Sequence, residues 1–352
     1  MNKIPKDDRL NTLALSELLK DTQNSYKHLL FGFLLKEIKT RTNIELFFTP
    51  SEIQRGMLEI AEYPAIKCHL SLGIRDQTIS NLRGEKEISH QDSDLLRWVP
   101  YRLIRPFFSK ELKNKKEGIV NQTILQLAAK EFVGSNPPLY RLVVNNHRQL
   151  EHIEIHPRWR DYLVTHFEII DGWRRWHWSN YLQRRNPSAL NVILKLEKPS
   201  RSTKKLNELR KIWRNMLIAD KESIRCTYSN NLIEVSGIVV DHFIPWNYLG
   251  HDQSWNLCPT IQSINSKKSD KLPRQYYLKS LALIQHNTLT WMKKTQSQKR
   301  WEIFSEDYIT SLQISEDKLL NKFEFDKALE RTISPHYVLA MSMGFETDWT
   351  VS

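Results

Sequence analysis

Asp241 and His242 stand side by side in the run Val-Val-Asp-His-Phe-Ile-Pro-Trp; Asn256 follows His242 by 14 residues and Asn265 follows Asn256 by 9. A carboxylate, an imidazole and two amides in one short stretch suit phosphodiester hydrolysis. A hard divalent cation takes oxygen ligands. Asp241 and the side-chain carbonyl of Asn265 can supply two of them, with water and phosphate filling the rest. An imidazole beside such a site can take the proton of an attacking water near neutral pH, and the cation neutralises charge developing on the phosphate. Mg2+ or Mn2+ is the expected ion.

The elements that must position these groups follow from the same stretch. Residues 232–240 are rich in β-branched side chains and read as a strand. It ends at Asp241-His242, so both side chains are expected to leave the strand tip next to each other. The loop beyond it carries Pro245 and Gly250, and residues 255–257 read as a short return strand. Pro259-Thr260 then opens an expected helix through Lys268, since proline suits a helix start and threonine an N-cap.

Residues from about 225 to 273 resemble the HNH endonuclease family, whose motif places Asp-His at a strand end, Asn in the loop, and His or Asn on the helix. Here the third letter is Asn265, the H-N-N form also found in the HNH modules of RNA-guided CRISPR nucleases. The resemblance implies a ββα-metal (His-Me finger) module with His242 as general base and Asp241 and Asn265 as metal ligands. It further implies that Asn256 braces the loop and the imidazole. Lys268 matches the lysine of the family's Asn-x-x-Lys ending and is expected to face phosphate. Many relatives carry a zinc knuckle of two Cys-x-x-Cys pairs. The corresponding positions here read Cys226-Thr-Tyr-Ser229 and Ile261-Gln-Ser-Ile264, so no structural zinc is expected. The implied substrate is DNA, most simply double-stranded, and a restriction or anti-phage role fits by analogy. An RNA-directed nuclease, acting for example on tRNA, and a nucleic-acid-binding module without turnover are the alternatives.

The rest of the chain agrees with a polyanionic partner. Its net charge is +12 over 352 residues, and 40% of its residues are apolar, enough for a packed core. Residues 158–225 hold 16 Lys or Arg against 7 Asp or Glu, together with five of the eleven Trp. Basic residues interleaved with aromatics are what a surface tracking a nucleic-acid backbone requires. Arg174, Arg175, Arg184, Arg185, Lys204 and Lys205 are the candidate contacts there, with Lys267 beside the module. Trp98, Arg102 and Arg105 mix rings and guanidiniums in a second such run, which reads more readily as a domain seam than as a nucleic-acid groove. His147, His152 and His156 lack the spacing of a metal site.

Helical periodicity covers 26–38 after Asn24-Ser25, the stretch after Thr49-Pro50-Ser51-Glu52, 95–108 with breaks at Pro100 and Pro106, 119–132 and 276–292. The expected fold is α+β and mainly α, in four parts. These are a helical domain over 1–150, a basic Trp/Arg-rich helical segment over 151–222, the nuclease module over 223–295 and a small helical C-terminal cap over 296–352. Only Cys68, Cys226 and Cys258 occur, scattered, so no disulfide framework is expected. With no apolar leader and no run long enough to span a bilayer, the expected location is the cytoplasm, away from membranes.

Overall fold

The computed structural model describes residues 4–20, 22–41, 46–84, 96, 98–147, 149–199 and 203–351. The chain divides into two compact units, Met1–Lys198 and Pro199–Ser352. The basic segment expected over 151–222 therefore straddles the division rather than forming a body of its own.

The first unit is built on helix α1 (Tyr26–Thr40), whose Leu29, Leu30, Phe31 and Leu34 are fully buried. Burial of such side chains contributes roughly 1.5–3 kcal/mol each relative to leaving them exposed. Helix α2 (Pro50–Glu62) packs on it. Its start is set as the sequence suggests: Thr49 Oγ1 accepts from the Glu52 amide and the Glu52 carboxylate accepts from the Thr49 amide, a reciprocal cap. Gly56 permits the close approach, because a Cβ there would lie 2.0 Å from a ring carbon of Phe33.

Three strands, β1 (Leu46–Phe48), β2 (Tyr140–Val144) and β3 (Leu150–Ile155), form an antiparallel sheet in the order β1-β3-β2. This sheet corrects the all-helical reading of the first half. Its signal was the alternation of buried Tyr140 and Leu142 in Tyr-Arg-Leu-Val-Val, followed by a turn in which Asn145 Oδ1 accepts from the amides of His147 and Gln149. The candidate helix over 95–108 is broken as its prolines require, into a helix at Val99–Leu103 and a 3-10 turn at Arg105–Phe108; Leu95 lies outside the described residues.

Helices α3 (Pro157–Thr165) and α4 (Phe167–Arg185) follow. Trp159, Trp173 and Trp178 point into the core, whereas Trp176 is 55% exposed. Most of the tryptophans in this basic stretch are thus packing residues.

The second unit begins with α5 (Lys204–Ala219), whose Trp213 donates to Thr288 Oγ1 at 3.0 Å. Strands β4 (Val239–His242) and β5 (Leu257–Thr260) pair antiparallel, and α6 (Gln262–Lys268) follows β5. Helices α7 (Leu278–Thr295), α8 (Gln298–Leu312) and α9 (Lys322–Ser342) complete the unit. Gln285 on α7 reaches the small sheet, donating to the carbonyls of Ser254 and Leu257. The chain is mainly helical with two small sheets, an α+β architecture. Among the described residues no helix is long and apolar enough to cross a membrane.

Candidate active site

β4 is shorter than the sequence suggests. Residues 233–238 instead form a turn closed by the Gly237 amide on the Glu234 carbonyl, and Leu232 bridges Arg225. The return strand is also displaced. Ser254–Asn256 is a 3-10 turn, and Pro259 and Thr260 belong to β5 rather than to the helix start. Proline is tolerated there because it pairs with Val240 at the edge of a two-stranded ribbon, where its missing N–H breaks no central ladder. The helix opens at Gln262 after an extended Ile261, with no side-chain cap.

Successive strand residues point to opposite faces, so Asp241 and His242 diverge rather than leaving the strand tip together. Asp241 is buried, and its Oδ2 accepts from Tyr228 Oη at 2.5 Å and sits 3.1 Å from Lys268 Nζ. No hydrogen bond among the described residues reaches its Oδ1. The His242 ring turns to the loop, where Nε2 lies 2.7 Å from Asp252 Oδ1. A carboxylate only accepts, so in the neutral ring Nε2 carries the proton and Nδ1 keeps its lone pair. Asp252 was not among the expected site residues.

Asn256 is fully buried and braces the loop as expected: Oδ1 accepts from the Ile244 amide and Nδ2 donates to the Ile244 carbonyl, both at 2.8 Å. It holds backbone, however, and the imidazole is held by Asp252 instead. Asn265 is half-buried on α6, its side-chain amide making no hydrogen bond among the described residues.

Lys268 corrects the expectation that it faces phosphate. Its side chain is fully buried, with Nζ donating to the His242 carbonyl at 2.8 Å beside the Asp241 carboxylate. An ammonium taken out of water needs such partners, and here they tie α6 to the end of β4. The residue positions the strand tip.

The knuckle positions are held by contacts within the protein. Cys226 Sγ accepts from the Ser229 amide at 3.5 Å and lies 3.4 Å from Thr260 Oγ1, and Ile264 is buried. Cys258 is buried beneath Asp241, and burial, reinforced by that carboxylate, pushes its thiol well above the ordinary range. The Tyr228 hydroxyl is raised for the same two reasons. Both remain protonated at neutral pH. Nearby His251 is lowered to about 4 by burial and by His336 and His242, so it stays neutral.

The basic candidates separate. Arg174 is buried in a 2.6 Å ion pair with Asp171. Arg175 pairs with Glu197, and Lys205 with Asp307 at 2.8 Å. Arg185 is half-buried, stacked on the Tyr181 ring at 3.6 Å. These four are engaged by the protein itself. Arg184, Lys204 and Lys267 are exposed. In the second run, the Arg102 guanidinium lies over the Trp98 ring and Arg105 pairs with Glu117 at the surface.

Residues 226–274 match the family model described as HNH endonuclease. This segment is thus similar to the HNH endonuclease family. No curated protein and no solved structure matches the chain significantly. Among the described residues no group of three or more His, Cys, Asp or Glu side chains could hold a metal ion. The unengaged Asp241 Oδ1 and the unengaged Asn265 side chain are hard oxygen donors.

Proposed function

We propose that the chain is a divalent-metal-dependent endonuclease that hydrolyses DNA phosphodiester bonds, with His242 as the general base. The observation that carries this reading is the His242–Asp252 pair. The ring is fixed through Nε2, and Nδ1 is left as the basic nitrogen at the end of the strand that also carries Asp241. Nδ1 takes the proton of the attacking water, and the Asp252 carboxylate then faces a cationic ring that it holds and stabilises. Asp241 and Asn265 would hold Mg2+ or Mn2+, which supplies charge stabilisation at the phosphate and the leaving oxygen. Asn256 and Lys268 act through the backbone, fixing the loop and the strand tip. Lys267, exposed on α6, is the module's own candidate phosphate contact. A restriction or anti-phage role is carried over by analogy with the family alone, as is the choice of DNA.

Purified protein incubated with plasmid and with total RNA, each with Mg2+, Mn2+ or EDTA, tests the proposal. Plasmid cleavage that EDTA stops and a zinc-selective chelator spares is the expected result. RNA cleavage alone would replace the substrate. Binding of both without cleavage would mean a module that keeps the fold without turnover.

A further inference from the structure

The first unit carries a feature the nuclease site does not use. Two cavities of about 480 and 250 Å³ adjoin at Arg185, which lines both. The smaller is walled by Trp176, His177, Asn180, Tyr181 and Arg184, a stripe at helical spacing along α4. Lys20 also lines it, and Arg75 lines the larger one. Arg185 is a fixed wall, stacked on Tyr181 and donating to the Gln23 carbonyl at 2.5 Å.

Three observations say what these cavities take. Trp176 stands 55% exposed on the cavity wall, while Trp159, Trp173 and Trp178 of the same region are buried. Arg184 and Arg75 are exposed and make no ion pair among the described residues, although Lys20 pairs with Glu17. Asp76 is the one acid among the described lining residues, and its carboxylate is already committed to the amides of Ser25 and Thr78. An open indole face beside uncommitted guanidiniums, with Asn24 and Asn180 offering amides to base edges, is a stacking platform with phosphate contacts. Volumes of about 480 and 250 Å³ are of the order of small-ligand sites, a scale that suits single unpaired nucleotides.

We propose that this α4 groove, with Trp176 as the stacking face and Arg184 and Arg75 as phosphate contacts, binds single-stranded nucleic acid. The inference rests on the reading of the chain as acting on nucleic acid and adds to it a separate site for unpaired nucleotides.

The test uses the full chain carrying His242→Ala, in EDTA, so that binding is read without cleavage. Fluorescence anisotropy is followed with a labelled DNA or RNA single strand of about 15 nucleotides and with a duplex of the same sequence. Trp176→Ala should weaken single-strand binding about 5- to 100-fold, and Trp176→Phe should restore most of it. Arg184→Ala should flatten the slope of log K against log salt by about 0.7. Duplex binding should change little in these variants, and melting temperatures should stay at the parent value, since both side chains are exposed. Unchanged single-strand binding in Trp176→Ala and Arg184→Ala would overturn the groove, as would equal displacement by poly-glutamate, which would reduce it to charge alone. Plasmid cleavage by the wild-type chain is measured in parallel. Cleavage with an indifferent groove removes this inference and leaves the nuclease reading. A responsive groove without cleavage does the reverse.

Discussion

Replacing Lys268 by methionine separates a buried strut from a phosphate contact. Methionine keeps the volume and the unbranched stem but removes the ammonium. The Asp241 carboxylate, itself 6% exposed, then keeps only the Tyr228 hydroxyl, and the His242 carbonyl loses its 2.8 Å donor. Removing one partner of a buried pair typically costs about 3–5 kcal/mol, because the remaining charge stays desolvated. For a unit of this size that lowers the midpoint of thermal unfolding by about 6–20 °C. Calorimetry or denaturant titration followed by tryptophan fluorescence reads the change directly. Asp241→Asn removes the charge that would otherwise be stranded. The double variant should therefore be more stable than the sum of the single losses, by about 1–3 kcal/mol. The reasoning is refuted if Lys268→Met melts within about 2 °C of the parent while its salt-dependent DNA affinity falls. That pattern belongs to an exposed lysine on phosphate.

Two further perturbations probe the loop. Asp252→Ala should lower kcat about 10- to 100-fold with little change in KM, since the carboxylate orients the base without touching substrate. Asp252→Asn, which keeps an acceptor oxygen, should recover part of that loss, and equal activity in all three proteins would strip Asp252 of its role. The buried histidines set an acid limit. His251 binds its proton near pH 4 in the folded chain against 6.5 for a free imidazole, and His28 near 3. The unfolded chain therefore binds more protons between those values. The stability is complete above about pH 6.5 and is lost as pH falls toward 4, by up to about 3 kcal/mol for His251 alone. Unfolding midpoints measured across that range should fall, and His251→Asn should flatten the fall.

The placement of the module's polar set was legible because its chemistry depends on residue types at fixed separations: Asp241 and His242 end β4, Asn256 sits in the 3-10 turn before β5, and Asn265 lies on α6. What those residues touch was not legible. A lysine three places after Asn265 reads as a solvent cation until the packing of α6 on β4 closes over it. Asp252 carried no motif, because its role depends on a loop fold rather than on spacing. The basic stretch misled for a related reason. Charge counting does not distinguish Arg174, buried against Asp171, from Arg184 one helical face away. The β2–β3 hairpin carried a local signal, but β1 did not, because Leu46–Phe48 is only three residues long and finds its partner β3 about a hundred residues later. Local periodicity carries no trace of such a pairing.

Single-turnover cleavage of supercoiled plasmid in Mg2+, comparing the wild-type chain with His242→Ala, tests the central claim most directly. The variant should bind DNA and melt as the parent does, while the cleavage rate falls about 10²–10⁴-fold and EDTA abolishes what the wild type does. A His242→Ala protein that cleaves at more than about half the wild-type rate, well short of the loss a missing general base causes, would contradict the assignment of His242 as the base.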